Sequence, residues 1–213
     1  MRAVVLTSPG SPMTVASVPD PSPPAGGCVV DVLACGICHS DLHAAAGDYP
    51  TALPVILGHE VVGSHPDLGP VLVYACWGCR RPGCWACDSA QEMICPDATE
   101  AGLLRDGGYA ERIAVPDPRY LVPIGDLDPA HAAPLACGGL TAYRAVDHAL
   151  GVLEQAADPR ALVIGAGGLG QFGLQWLKAR SAAHVTVVDA SAAKREVAME
   201  LGADAVAAPD EVD

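Results

Sequence analysis

The chain of 213 residues fits one large domain or two small ones, and half of it is apolar, so a core can be buried. Its formal net charge of −13 would be repelled by nucleic acid and by an anionic membrane surface, and no window reaches the length of a membrane span. The apolar run at Met1 is too short for a signal peptide, and nine cysteines without an export signal point to a reducing, cytoplasmic compartment. In such a compartment clustered cysteines bind metal more often than they pair.

Up to about residue 125 the pattern is β-rich. Short apolar runs at 3–6, 29–34, 55–57, 71–75 and 113–115 are separated by proline, glycine and aspartate clusters. Pro19-Asp20-Pro21-Ser22-Pro23-Pro24 reads as a rigid surface connection. Between these runs lie Cys38-His39-Ser40-Asp41-Leu42-His43 and Gly58-His59-Glu60. They bring together a thiolate and an imidazole, donors that Zn²⁺ prefers, beside hydroxyl, carboxylate and second-imidazole groups. Catalytic zinc takes three protein ligands and keeps one position open, and two cysteines with one histidine is a known set.

The stretch of about 76–95 is a cysteine lobe. Cys79, Cys84, Cys87 and Cys95 supply four thiolates, suited to a closed tetrahedral site of structural type. Cys76 offers an alternative fourth ligand, since Cys76, Cys79, Cys84 and Cys87 would also make two Cys-x-x-Cys knuckles. A lobe this small builds no core of its own, so metal binding would supply its folding energy.

Residues 128–148 read as helical. From residue 160 the character changes to a wholly apolar strand at 161–164, a glycine turn, a helix through Phe172, Trp176 and Leu177, and a second strand at 185–188 ending in Asp189. Ser191 can cap the next helix, Gly202 can end it, and 204–207 can begin a third strand. Gly165-Ala166-Gly167-Gly168-Leu169-Gly170 satisfies G-x-G-x-x-G in its confirming context, after a strand and before a helix. Gly165 permits the tight turn, Gly167 lets the backbone approach a pyrophosphate, and Gly170 lets helix pack on strand. Asp189 would bind the adenosine ribose and repel a 2′-phosphate, which favours NAD over NADP.

With these pieces assembled, the chain resembles the zinc-dependent medium-chain dehydrogenases, and among them the NAD-dependent alcohol dehydrogenases. The resemblance runs nearly end to end, through the two histidine motifs, the cysteine lobe, Gly107-Gly108-Tyr109-Ala110-Glu111, residues 134–141 and the glycine turn. It implies an α/β chain: a GroES-like, β-rich catalytic domain over 1–148, then the first part of a Rossmann domain, a doubly wound parallel sheet, over 149–213. It also implies Cys38, His59 and Cys137 as catalytic zinc ligands with Glu60 nearby, and Asp41 as the acid that orients His59. Ser40 and His43 become a proton relay, and His39 and Lys194 join Gly165, Gly167, Gly168, Gly170 and Asp189 at the cofactor.

The function so implied is hydride transfer between a small alcohol and NAD, reversible from aldehyde or ketone. A non-catalytic zinc-binding remnant is the alternative. The family is homo-oligomeric, but its usual dimer surface has no counterpart in these residues. Two departures stand out. Four residues separate the lobe's first two cysteines, where the family usually has two, and the link from Gly63 to Tyr74 is short.

Overall fold

Valine-rich runs broken by glycine and proline build the first of two units, Met1–Cys137, in a computed structural model that describes residues 1–211. Its strands are β1 (Arg2–Leu6), β2 (Thr14–Ser17), β3 (Cys28–Gly36), β4 (Val55–Ile56), β5 (Glu60–His65), β6 (Gly69–Val73), β7 (Cys76–Trp77), β8 (Thr99–Glu100), β9 (Arg112–Val115) and β10 (Leu121–Pro123). Five of them form an antiparallel sheet in the order β10-β6-β5-β3-β9. A smaller sheet runs β2-β1-β4, and β7 pairs with β8. Alternate strand positions face the core, so Val71 and Val73, and Ile113 and Val115, are all buried beside Val30 and Val61. Each such side chain contributes about 1.5–3 kcal/mol of burial.

The short link from Gly63 to Tyr74 is a hairpin. β5 returns directly as β6, with Gly63 opposite Val71 and His65 opposite Gly69, whose φ of +71° closes the turn. The helices of this unit are brief: α1 (His39–Ala46), α2 (Trp85–Asp88) and α3 (Pro129–Ala132). The helical region expected over 128–148 is interrupted. Asp128 caps α3, accepting from the amides of Ala130 and His131 at 3.0 Å each. A 3₁₀ turn, Ala133–Ala136, carries Pro134, and helix resumes after Cys137, which lies outside helical dihedrals at φ −127°, ψ −77°.

The second unit is Gly138–Asp213. It comprises α4 (Gly138–Leu153), β11 (Arg160–Ile164), α5 (Gly168–Arg180), β12 (His184–Val188), α6 (Ala192–Glu200) and β13 (Ala205–Ala207). The strands are parallel in the order β11-β12-β13, so the third strand read at 204–207 is formed. Trp176 donates from Nε1 to the Gly139 carbonyl at 3.0 Å and meets the Tyr143 ring edge-on at 5.1 Å. These contacts fasten α4 to α5, which moves the division between units to Cys137/Gly138 from the expected position after residue 148.

At the turn between β11 and α5, a Cβ on Gly170 would stand 1.8 Å from the Gly165 carbonyl oxygen. Backbone cannot yield there as a side-chain tip could. Gly170→Ala should therefore destabilise the second unit by about 1–3 kcal/mol, read as a lower urea midpoint for Trp176 fluorescence.

Candidate functional site

The first cluster grows from the N-terminus of α1. Cys38 is the N-cap, and Asp41, at the third helical position, reaches back so that its Oδ2 accepts from the Cys38 amide at 2.9 Å. Its other oxygen, Oδ1, accepts from the Gly58 amide at 3.2 Å and lies 3.5 Å from His59 Nδ1. That last approach is an ion-pair contact: His59 Nδ1 has no hydrogen-bond partner among the described residues. Gly58 makes the turn with φ +93°, where a Cβ would strike the Tyr109 ring at 2.6 Å.

With Nδ1 beside Asp41, Nε2 is the ring nitrogen that would serve as a ligand. Cys38, His59, Glu60 and Cys137 each offer one ligand atom, all within 4.8 Å of one another. His59 and Glu60 are buried, and the two sulfurs stand 3.9 Å apart although 99 residues separate them in sequence. Gly36 makes room for the carboxylate, since a Cβ there would lie 2.0 Å from Glu60 Oε2. Zinc with Zn–S bonds of about 2.3 Å in a tetrahedron requires S···S edges of roughly 3.8 Å. The donor set fits that ion.

The charges agree. Burial alone would push the His59 imidazole down, but Asp41 and Cys137 outweigh it and lift the pKa to about 11. Burial also opposes ionisation of Cys38, yet the Ser40 amide and hydroxyl and the His59 ring bring that thiol below its ordinary value. At Cys137 the His59 ring favours the thiolate, but burial and neighbouring Cys38 prevail, and the pKa rises. One thiolate is stabilised and a second is resisted unless positive charge is held between them.

The second cluster is the cysteine lobe. Cys79, Cys84, Cys87 and Cys95 lie within the same 4.8 Å limit, with Cys84–Cys95 at 3.7 Å and Cys79–Cys87 at 4.0 Å between sulfurs. Cys95 is thus the fourth member. Cys76 stands apart in β7, opposite Glu100, where burial first and then that carboxylate push its thiol up to about 11. The Arg81 amide and guanidinium lower Cys79 to about 6. At Cys87 the Arg80 amide lowers the pKa, but burial and the other three sulfurs push it up to about 12. Four thiolates this close demand a cation. Ion pairs of Arg80 with Asp117, Arg81 with Asp97 and Arg119 with Glu92 flank the lobe.

In the second unit the residues 165–170 form the turn from β11 into α5, and Gly165 has φ +93°. Asp189, at the end of β12, accepts from the amides of Ser191 and Ala166 at 2.8 Å each, which hold its carboxyl below the usual range. The Arg195 guanidinium donates to the carbonyls of Asp189 and Ala190. Lys194 lies in the first turn of α6, its amide 3.5 Å from the Ser191 hydroxyl that caps the helix.

Ser40 stands beside the first cluster, its Oγ 3.8 Å from Cys38 Sγ, while His39 is exposed at the start of α1. His43, one turn beyond Ser40, pairs through Nδ1 with Asp48 Oδ2 at 2.8 Å. Asp48, Tyr109 and Gly36 are the members that sequence reading missed. Gly47, at φ +91°, ends α1 and folds Asp48 back toward His43, a helix-stop signal that could have located it. Tyr109 lies 68 residues from Asp41, and no local pattern announces that contact.

Residues 24–126 match the family profile of the alcohol dehydrogenase GroES-like domain. The chain is 39% identical to an alcohol dehydrogenase of Geobacillus stearothermophilus, over 98% of this chain and 64% of that protein. It is 35% identical to an NAD-dependent alcohol dehydrogenase of Sulfurisphaera tokodaii, over 97% of this chain and 63% of that one. Among solved structures, the D-arabinose dehydrogenase of Sulfolobus solfataricus superposes with a TM-score of 0.88 at 30% identity, covering 99% of this chain and 67% of that chain. The chain thus spans just under two thirds of the length of the two curated relatives. Among the described residues, no helix is long and apolar enough to cross a membrane.

Asp41 gives the site a pH signature. Burial would raise its pKa, but His59, the Cys38 amide and the Tyr109 hydroxyl reverse that and hold it below the ordinary value. The folded state then binds fewer protons than the unfolded one. Stability from Asp41 is therefore complete above an unfolded pKa of about 3.9 and is lost as pH falls through the lower folded value. Urea midpoints should drop on acidification below about pH 4, and Asp41→Asn should flatten that slope while lowering the midpoint at neutral pH.

Proposed function

The chain belongs to the medium-chain alcohol dehydrogenase family, and from that premise we propose that it carries the metal centre and part of the cofactor site of an NAD-dependent oxidoreductase that moves hydride between an alcohol and NAD. The observation that carries this reading is the convergence of Cys38, His59, Glu60 and Cys137, with His59 turned by Asp41. Cys38, His59 and Cys137 would hold zinc with Glu60 alongside, and the ion when bound supplies Lewis-acid polarisation of the substrate oxygen. Cys79, Cys84, Cys87 and Cys95 would hold a second, structural zinc.

The remaining work falls to side chains. Ser40, next to Cys38, would accept the substrate's hydroxyl proton, and His43 lies on the same face of α1 three residues on. Asp48 engages His43 Nδ1, which leaves Nε2 to take the proton onward to solvent. NAD supplies the hydride acceptor. The 165–170 turn would receive its pyrophosphate at the start of α5, with His39 and Lys194 as further contacts. Asp189 is anionic at neutral pH and would oppose a 2′-phosphate, and Arg195, committed to backbone carbonyls, offers that phosphate no partner.

The substrate class is a small alcohol, aldehyde or ketone, and a reducing cytoplasm suits nine unpaired cysteines. The second reading is a zinc-binding chain without turnover of its own.

Zinc analysis should give two ions per chain, falling to one in His59→Ala and to one in Cys95→Ser. NADH should bind saturably and more tightly than NADPH, with Asp189→Ala reducing that preference at least tenfold, about the loss of one good interaction. A zinc-loaded chain with no NADH isotherm would reject the oxidoreductase and leave the second reading.

A further inference from the structure

Asp41 is buried, 1% exposed, and each of its oxygens is engaged twice. Oδ1 serves Gly58 and His59, and Oδ2 serves Cys38 and the Tyr109 hydroxyl, which donates at 2.9 Å. The Tyr109 oxygen also lies 3.2 Å from the Gly36 carbonyl. A phenol has one proton to give, and the carboxylate is both nearer and charged, so the proton goes to Asp41.

Tyr109 reaches this position because its segment runs beside residues 56–58, with Gly107 N to Ile56 O at 2.7 Å, Gly108 N to Gly58 O at 2.7 Å and Tyr109 N to Leu57 O at 3.0 Å. Two glycines permit the approach. A Cβ on Gly107 would stand 2.2 Å from the Gly58 oxygen, and one on Gly108 would stand 2.3 Å from Val61 Cγ2. The ring meanwhile fills the space that a Cβ on Gly58 would enter. One side chain thus braces the turn that carries His59 and ties down the carboxylate that orients it.

We propose that Tyr109 is a positioning residue for the metal centre, its hydroxyl fixing Asp41 and Asp41 fixing the His59 ring with Nε2 toward the two thiols. Neither ligand motif contains this residue, and its hydroxyl donates to Asp41. The inference rests on the reading of Cys38, His59 and Cys137 as a zinc site. Without the phenol proton, Asp41 Oδ2 keeps only the Cys38 amide, and the carboxylate can swing away from His59. Losing such an outer partner typically weakens a metal site about 10–100-fold.

The test is zinc affinity, measured by competition with a chromophoric chelator on the full chain, for the wild type, Tyr109→Phe, Asp41→Asn and the double variant. Phenylalanine keeps the ring against Gly58, and circular dichroism checks the fold. Tyr109→Phe should weaken the Cys38–His59–Cys137 centre by about tenfold or more and leave the Cys79–Cys84–Cys87–Cys95 site unchanged as an internal control. In the Asp41→Asn background the tyrosine substitution should add little, because both act through one carboxylate. Cobalt(II) loading gives a second readout, with the visible bands of this centre altered in Tyr109→Phe and those of the lobe retained. Unchanged affinity in a folded Tyr109→Phe protein would overturn the proposal, as would equal losses at both sites or fully additive losses in the double variant. A wild-type chain that binds zinc only in the lobe would reject the metal-centre reading itself, and this inference with it.

Discussion

The first unit depends on one buried carboxylate. Asp41 joins the start of α1, the turn after β4, the segment carrying Tyr109 and the ring of His59. Burying an isolated carboxylate costs several kcal/mol even after relaxation. Donors on both oxygens offset that cost, at about 1.5–3 kcal/mol for each hydrogen bond to a charged group. The geometry that makes the burial tolerable is the geometry that aims His59. Folding and site assembly are, at this point, the same event.

The two cysteine clusters solve different problems with the same atom. In the lobe, sulfur supplies all four corners, sequence spacing keeps them within one short segment, and no corner is left for a substrate. At the other centre the donors come from α1, the start of β5 and the break before α4, and they differ in charge and softness. A mixed set of this kind holds an ion and still leaves it reactive. In both, one thiol is made harder to ionise by its neighbouring sulfurs, Cys87 in the lobe and Cys137 at the other centre, and a divalent cation would relieve that cost.

Much of this was legible in the sequence, and what was hidden shares a physical cause. The apolar runs, the strand–glycine–helix unit and the short-range cysteine pattern are local, so spacing announced them. Cys95 over Cys76 was decided by the pairing of β7 with β8, which turns Cys76 toward Glu100 and away from the lobe. The break at Cys137 was masked by an alanine-rich stretch whose helical pattern runs through it, though Pro134 marked the place. Gly36 and Tyr109 were invisible because their importance lies in what they face across the fold, Glu60 and Asp41. The short Gly63–Tyr74 link, a departure by comparison with relatives, proved to be an ordinary tight hairpin.

The second unit carries a glycine turn closed by a backbone contact and an aspartate anchored by two backbone amides, the residues proposed above to receive the dinucleotide. The claim on which the rest stands is that Cys38, His59 and Cys137 bind a metal together, separately from the lobe. The most direct measurement is a crystal of the zinc-loaded chain with diffraction recorded on both sides of the zinc absorption edge. The account requires two anomalous peaks, one among the four lobe sulfurs and one between Cys38, His59 and Cys137. A single peak in the lobe, with His59 Nε2 turned away from both thiols, would contradict it.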